Sequence, residues 1–221
     1  MVEIVPTINV KSKEDFLKRI TAIAPLVSRV QWDIMDGKFV ENTTFSDPSI
    51  LDELFSDPRP LTPDLKIGVD LMVEDPQNWI ERFHHPGIEQ LIFHVESKSN
   101  LQDWDEILLH ARALGFKIGI AAEPDTDISS FSSLLPLVDL YQAMGGRSGF
   151  AGKGFNPEVL PTIKKIRQDF PHLPISVDIG VTAQTAPDMV KAGVTVLVSG
   201  SVIFTAKDPK KALESLRNAT L

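Results

Sequence analysis

The chain has 221 residues, 43% of them hydrophobic, a formal charge of −8 and no cysteine. That length fits one large domain or two small ones, with apolar residues enough for a substantial core. The acidic balance excludes general nucleic-acid binding, which needs a basic face against phosphates, and the missing cysteines exclude a disulfide framework and thiolate chemistry.

The opening MVEIVPTINV lacks a basic start followed by a long apolar run, and no apolar run reaches membrane-spanning length. A cytoplasmic protein without a membrane partner is the expectation. Val2–Ile8 reads as a strand and Ser12–Ala24 as a helix, with Ser12 as its N-cap and Phe16, Leu17, Ile20 and Ile23 on one face. Val27–Met35 is a second strand, followed by a long loop over 36–48 and a short helix at Ser49–Phe55. Leu65–Met72 is a strand and Gln77–Phe83 a helix after Asp75-Pro76. Gln90–Val95 is a strand, and Leu101–Leu114 an amphipathic helix stopped by Gly115. Lys117–Ala122 is a strand and Ile128–Leu135 a helix. Val138–Met144 is a strand, then a glycine-rich loop runs to Phe155 and a helix spans Pro157–Phe170. Ile175–Asp178 and Val196–Ser199 are the last strands, each followed by helical segments, Ala183–Ala192, Ser201–Phe204 and Pro209–Ala219.

Eight strand–helix units without a linker or low-complexity break predict a single (β/α)8 barrel. An open doubly wound sheet usually has a glycine in its first turn, and Pro6-Thr7-Ile8-Asn9-Val10 has none.

In such a barrel the reacting groups stand at the C-terminal strand ends. Those ends offer Thr7, Gln31, Asp33, Met35, Asp70, Met72, His94, Glu123, Met144 and Asp178. Alternation puts Gln31, Asp33 and Met35 on one face of their strand, and Asp70 and Met72 on one face of theirs. Asp33 lies inside the apolar run Trp32-Asp33-Ile34, and Asp178 ends Ile175-Ser176-Val177-Asp178. A carboxylate there is costly to bury unless paired, hydrogen-bonded or metal-bound. Two carboxyls in one apolar site acquire different pKa values, so one can hold a proton while the other takes one. Each alone is more often a buried Asp bonded to backbone or Arg; together at two strand ends they point to an acid–base pair. The methionines taken singly are core filler.

The loop from Gly145 to Phe155 carries five glycines with Arg147 and Lys153, and Gly180 and Ser199-Gly200-Ser201 follow the next two strands. Such loops after successive late strands suit an anion through backbone N–H groups, although glycines also simply make turns. His94, between Phe93 and Val95, reads as a satisfied core histidine, and no histidines have metal-ligand spacing.

The segments VPTI, WDIMDGKFVENTTF, VDLMVEDP, FHVE, SGFAGKGF, VDIG and VSGSVIF, in this order and spacing, resemble the ribulose-phosphate 3-epimerase family over essentially the whole chain. The resemblance implies one ribulose-phosphate-binding barrel over residues 1–221. It implies inversion of the carbon beside the ketone of a pentulose 5-phosphate, with Asp33 and Asp178 as the two catalytic carboxyls. Thr7, Met35, Met72, Met144, Gly149, Gly152, Gly180, Gly200 and Ser201 fall on the family's substrate-contacting positions. The family's metal is held by two histidines and the two catalytic Asp, but Gln31 and Asp70 stand at the histidine positions. Thr7 replaces Ser, Arg147-Ser148 replaces Asn-Pro, Ile179 replaces a glycine, and Glu123 replaces Asn.

The remaining ligand set, Gln31, Asp33, Asp70 and Asp178, is all oxygen. It disfavours Zn or Fe and leaves two readings: no tightly held metal, which we favour, or Mg or Mn. Without metal, Arg147 is a candidate to polarise the carbonyl. The expected partner is a phosphorylated sugar, and a homo-oligomer stays open. Two rival functions remain. One is a lyase or decarboxylase, for which Asp64, Lys66 and Asp70 give a poorly spaced match. The other is a phosphosugar-binding barrel without turnover.

Overall fold

The computed structural model describes residues 2–56, 65–98, 100–149 and 154–221. Among them, β1 (Glu3–Ile8), β2 (Arg29–Met35), β3 (Lys66–Met72), β4 (Ile88–His94), β5 (Lys117–Ala122), β6 (Leu140–Met144), β7 (Ile175–Asp178) and β8 (Val196–Ser199) run parallel. They close into a barrel in sequence order, with β8 returning to β1. The helices are α1 (Lys13–Ile23), α2 (Ile50–Ser56), α3 (Gln102–Ala113), α4 (Val159–Asp169), α5 (Ala186–Ala192), α6 (Ser201–Phe204) and α7 (Pro209–Asn218). The expected (β/α)8 barrel is therefore present.

Period-two alternation sorts each strand into two faces. Trp32, Ile34, Val69, Leu71, Leu91 and Phe93 are fully buried in the main apolar layer, alongside Phe16 and Ile20 of α1. Burial of each such side chain contributes about 1.5–3 kcal/mol. The other strand face supplies Gln31, Asp33, Asp70, Gln90, His94, Gln142, Ser176 and Asp178, all buried. A run of polar groups on buried strand positions is costly without partners, and this shapes the site, where His94 Nδ1 alone among their ring, amide, hydroxyl and carboxylate atoms is buried without one among the described residues.

Local chemistry sets the helix ends. Ser12 accepts a hydrogen bond from the Asp15 N–H at 3.1 Å and starts α1 as expected. Gly193, with φ of 111°, terminates α5 in the left-handed conformation. Two expected helices are shorter 3₁₀ turns. Residues 77–83 form turns at Pro76–Asn78 and Glu81–Phe83, and residues 128–135 form turns at Ile128–Ser130 and Ser132–Leu137. In the second segment Ser130 Oγ donates to the Asp127 carbonyl, a local bond that competes with the helical ladder, and Pro136 removes another donor.

The loop after β2 is pinned beside the barrel mouth. Trp32 Nε1 donates to the Phe45 carbonyl at 3.0 Å. Thr44 Oγ1 donates to the Asp33 carbonyl at 2.8 Å and accepts from Met35 N–H at 2.9 Å. The Phe16 ring of α1 packs 4.4 Å from that of Trp32 and 5.8 Å from that of Phe45, which ties this loop to α1. Asp33 is thus held by a strand whose end is braced on both sides.

Candidate active site

Register brings the carboxylates together. Asp33 pairs with Asp70 across β2 and β3, Met35 pairs with Met72, and Met144 pairs with Asp178 across β6 and β7. Carboxylate oxygens of Asp33, Asp70 and Asp178 all lie within 4.8 Å of one another, and all three residues are buried. Asp33 and Asp178, with Thr7, Met35, Met72 and Met144, line a cavity of about 490 Å³ at the barrel mouth. Asp70 is fully buried and does not line it.

Gln31 links the three acids. Its Nε2 lies 2.7 Å from Asp178 Oδ2, 2.9 Å from Asp33 Oδ1 and 3.4 Å from Asp70 Oδ2. An amide nitrogen carries two hydrogens, so the two short contacts take them and the third is electrostatic. Asp70 is satisfied elsewhere: Gln142 Nε2 donates to Oδ2 at 3.0 Å, and His94 Nε2 lies 3.1 Å from Oδ1. Thr7 Oγ1 donates to Asp33 Oδ1 at 2.6 Å, and the Ile179 N–H donates to Asp178 Oδ1 at 2.7 Å.

The charge state follows from burial. Desolvation, helped by the charge of Asp70, raises Asp33 from 3.8 to about 7, against the lowering pull of Thr7 and Gln31. Desolvation, then the charges of Asp33 and Asp70, raises Asp178 well above its ordinary value. Burial pushes His94 down, but the charge and hydrogen bond of Asp70 more than offset it and lift it from 6.5 to about 9. His94 and Asp70 thus form a buried ion pair, and Asp33 and Asp178 are left as a coupled pair that retains a proton near neutral pH. His94 stands among the strand-end candidates, but its apolar flanks favour a satisfied core histidine. Its signal was parity with Gln90 and Ile92, which places it on the same strand face as the site.

The residues present do not fit an imidazole-type Zn or Fe centre. The space between the three carboxylates faces an N–H donor, which has no lone pair to give a metal. The three carboxylates are close enough to hold a hard cation, and binding one there would require Gln31 to turn its amide oxygen inward.

The cavity is also lined by Gly149, Gly154, Phe155, Ile179, Gly180, Val181, Gly200 and Ser201, with Arg19 reaching in from α1. Gly152 lies outside the described residues. Close packing accounts for two of the glycines. A Cβ on Gly180, whose φ is 74°, would sit 2.6 Å from Phe155 Cα, and one on Gly200 would sit 3.0 Å from Thr7 Cγ2. Ile179 holds φ of 75° beside Asp178, a conformation costly for a β-branched residue.

Two expectations are corrected. Arg147 does not reach the cavity: it is two-thirds exposed, and its Nη2 is bound to Asp125 Oδ2 at 2.6 Å. A decarboxylase-like trio also fails, because Lys66 is exposed at the opposite end of β3 from Asp70 and Asp64 is not described. Glu123 accepts from the Ser148 N–H at 3.1 Å and so braces the glycine-rich loop.

A profile of the ribulose-phosphate 3 epimerase family matches residues 3–204. The chain belongs to this family. It is 35% identical over 191 residues to the ribulose-phosphate 3-epimerase of Synechocystis sp., covering 85% of this chain and 80% of that one. Identity to the Bacillus subtilis ribulose-phosphate 3-epimerase is 33% over 192 residues, covering 85% and 84%. Among solved structures, KGPDC from Streptococcus mutans superposes with a TM-score of 0.74 at 14% identity, over 99% of this chain and 97% of that one. A 3-hexulose-6-phosphate synthase superposes with a TM-score of 0.72 at 20% identity, over 99% and 100%. At these identities the structural likeness establishes the fold, and the family rests on the sequence.

Proposed function

We propose that this family member is a phosphosugar epimerase that inverts the carbon beside the ketone of ribulose 5-phosphate, with Asp33 and Asp178 as its acid–base pair. The observation that carries this reading is that both carboxyls line one cavity and are joined by a single Gln31 amide.

The ionised carboxyl removes the C3 proton, and the electron pair moves into the carbonyl to give an enediolate. The protonated partner returns a proton to the opposite face of C3, so the two carboxyls exchange states and no net proton is consumed. Gln31 orients both groups, Thr7 fixes Asp33, and the Ile179 N–H fixes Asp178. Met35, Met72 and Met144 keep the reacting carbon in an apolar setting, which strengthens every charge interaction inside it. The glycine-bearing wall with Ser201 takes the phosphate. We infer that no tightly held metal takes part. The whole of residues 1–221 is read as one ribulose-phosphate-binding barrel working in the cytoplasm, where a cysteine-free chain is at no disadvantage.

Incubation of the purified protein with ribulose 5-phosphate in D₂O tests this. Deuterium should enter C3 as the two epimers interconvert, and Asp33→Asn and Asp178→Asn should each stop the interconversion. Inversion that survives in both variants would refute the assignment. A binding barrel without turnover would show no exchange in the unmodified protein.

A further inference from the structure

Arg19 projects from α1 into the same cavity, and it is the only lysine, arginine or histidine on the cavity wall among the described residues. Its neighbours fix its direction. The guanidinium carbon lies 5.0 Å from the centroid of the Phe204 ring, three residues beyond Ser201. Nη1 donates to the Asn9 carbonyl in the loop after β1, at 3.3 Å. These contacts hold the plane of the group but use only one of its five N–H donors. No carboxylate among the described residues forms an ion pair with it, although the side chain is partly buried. A half-buried guanidinium that lies over an aromatic ring, with no carboxylate in ion-pair contact and only the charge of Asp15 nearby on its own helix, can take an anion, and its fork suits two oxygens of one phosphate.

The charge content of the cavity supports the same assignment. Among its lining residues Arg19 is the cation, set over Phe204, and Asp33 and Asp178 are the acids. A phosphate is drawn to the guanidinium and repelled by carboxyls that must exchange a proton.

Resting on the epimerase reading for its substrate class, we propose that Arg19 is a direct phosphate ligand that fixes the phosphorylated end of the substrate, added to the glycine-bearing wall by α1. Replacing a charge-assisted bidentate contact by a neutral side chain costs on the order of 10- to 100-fold in affinity. Arg19→Gln should therefore raise KM for ribulose 5-phosphate by about that factor, and weaken competitive inhibition by inorganic phosphate in parallel. Arg19→Lys should recover part of both, since it keeps the charge and loses the fork.

Direct titration with inorganic phosphate, followed by ³¹P NMR, needs no turnover and separates this proposal from the epimerase reading. Phosphate binding lost in Arg19→Gln supports the ligand whether or not the protein epimerises a sugar. Should Arg19→Gln fail to fold, phenylglyoxal labelling of the unmodified protein replaces it: inorganic phosphate should protect Arg19 and leave exposed Arg147 unprotected. Unchanged phosphate affinity in folded Arg19→Gln, or no protection of Arg19 by phosphate, would overturn the proposal and leave Arg19 as a strut between Asn9 and Phe204.

Discussion

Replacing Asp33 by Asn should abolish epimerisation and yet stabilise the protein in alkaline solution. In the folded chain Asp33 is raised from 3.8 to about 7 by burial and by Asp70. The folded state then binds a proton that the unfolded state has already lost, so stability is greatest below about pH 4 for this group and falls as pH rises through about 7. The full difference corresponds to about 4 kcal/mol at about pH 8, and to less than half of that at about pH 5. Asparagine stays neutral throughout and keeps an acceptor for Thr7 and Gln31. Its amide nitrogen would take the place of Oδ2, which has no partner among the described residues, at a cost of about 1 kcal/mol. The net gain expected at about pH 8 is thus about 3 kcal/mol, or roughly 6–12 °C in Tm for a chain of this length, shrinking to near zero at about pH 5. Urea unfolding of both proteins at the two pH values measures it, and turnover should fall by about 10²–10⁴. An Asp33→Asn protein that is less stable at the higher pH, or whose advantage does not depend on pH, would show that Asp33 carries no burial penalty and would remove the physical basis of the shared proton.

Because Asp33 and Asp178 must hold one proton between them, kcat/KM should rise through about pH 7 as the first proton leaves and fall once the second is lost; a profile flat from about pH 5 to about pH 9 would contradict a carboxyl pair. Protein purified without chelator should contain little Zn or Fe by elemental analysis, and the double change Gln31→His with Asp70→His should raise Zn content toward about one per chain. About one Zn per unmodified chain would mean that Gln31 does not occupy the space between the acids as described. Ile179→Gly should change unfolding free energy by less than about 1 kcal/mol, since relief of the left-handed strain offsets lost packing against Met144 and its neighbours. Ile179→Val keeps the strain and loses a methyl group, so it should cost about 1 kcal/mol by the same measurement.

The barrel was legible because period-two and longer-period segments alternate cleanly along the chain, and strand parity already put Gln31, Asp33 and Met35 on one face. Two helices were misjudged where serines and prolines favour 3₁₀ turns, a competition that apolar spacing does not register. Contacts that cross the barrel were less accessible. His94 and Asp70 are 24 residues apart, and Gln31 and Asp178 are 147 apart, so nothing local marks either pair. Arg19 sits on an ordinary amphipathic helix, where an arginine reads as a solvated flank. Its position over Phe204 depends on how the two ends of the chain meet beside β1. Arg147 failed for the opposite reason: its place in the glycine-rich loop suggested the site, but Asp125 captures it outside.

Gln31 and Asp70 work as one arrangement in this site. An aspartate at position 70 adds a buried negative charge beside Asp33 and Asp178, and three carboxylates there would repel one another strongly. His94, on the neighbouring strand, supplies the opposite charge at 3.1 Å, and Gln142 supplies a further donor to the other oxygen. With Asp70 neutralised from that side, Gln31 is free to give its two hydrogens to Asp33 and Asp178. Glutamine at 31 with a histidine at position 70 would leave His94 without its counter-ion. Aspartate at 70 with a histidine at 31 would bring a second imidazole to the same acids. The present combination pairs one acid with His94 and bridges the other two through Gln31. The two-base inversion proposed above needs such a pair of carboxyls, and hydrogen bonds and one ion pair hold it here.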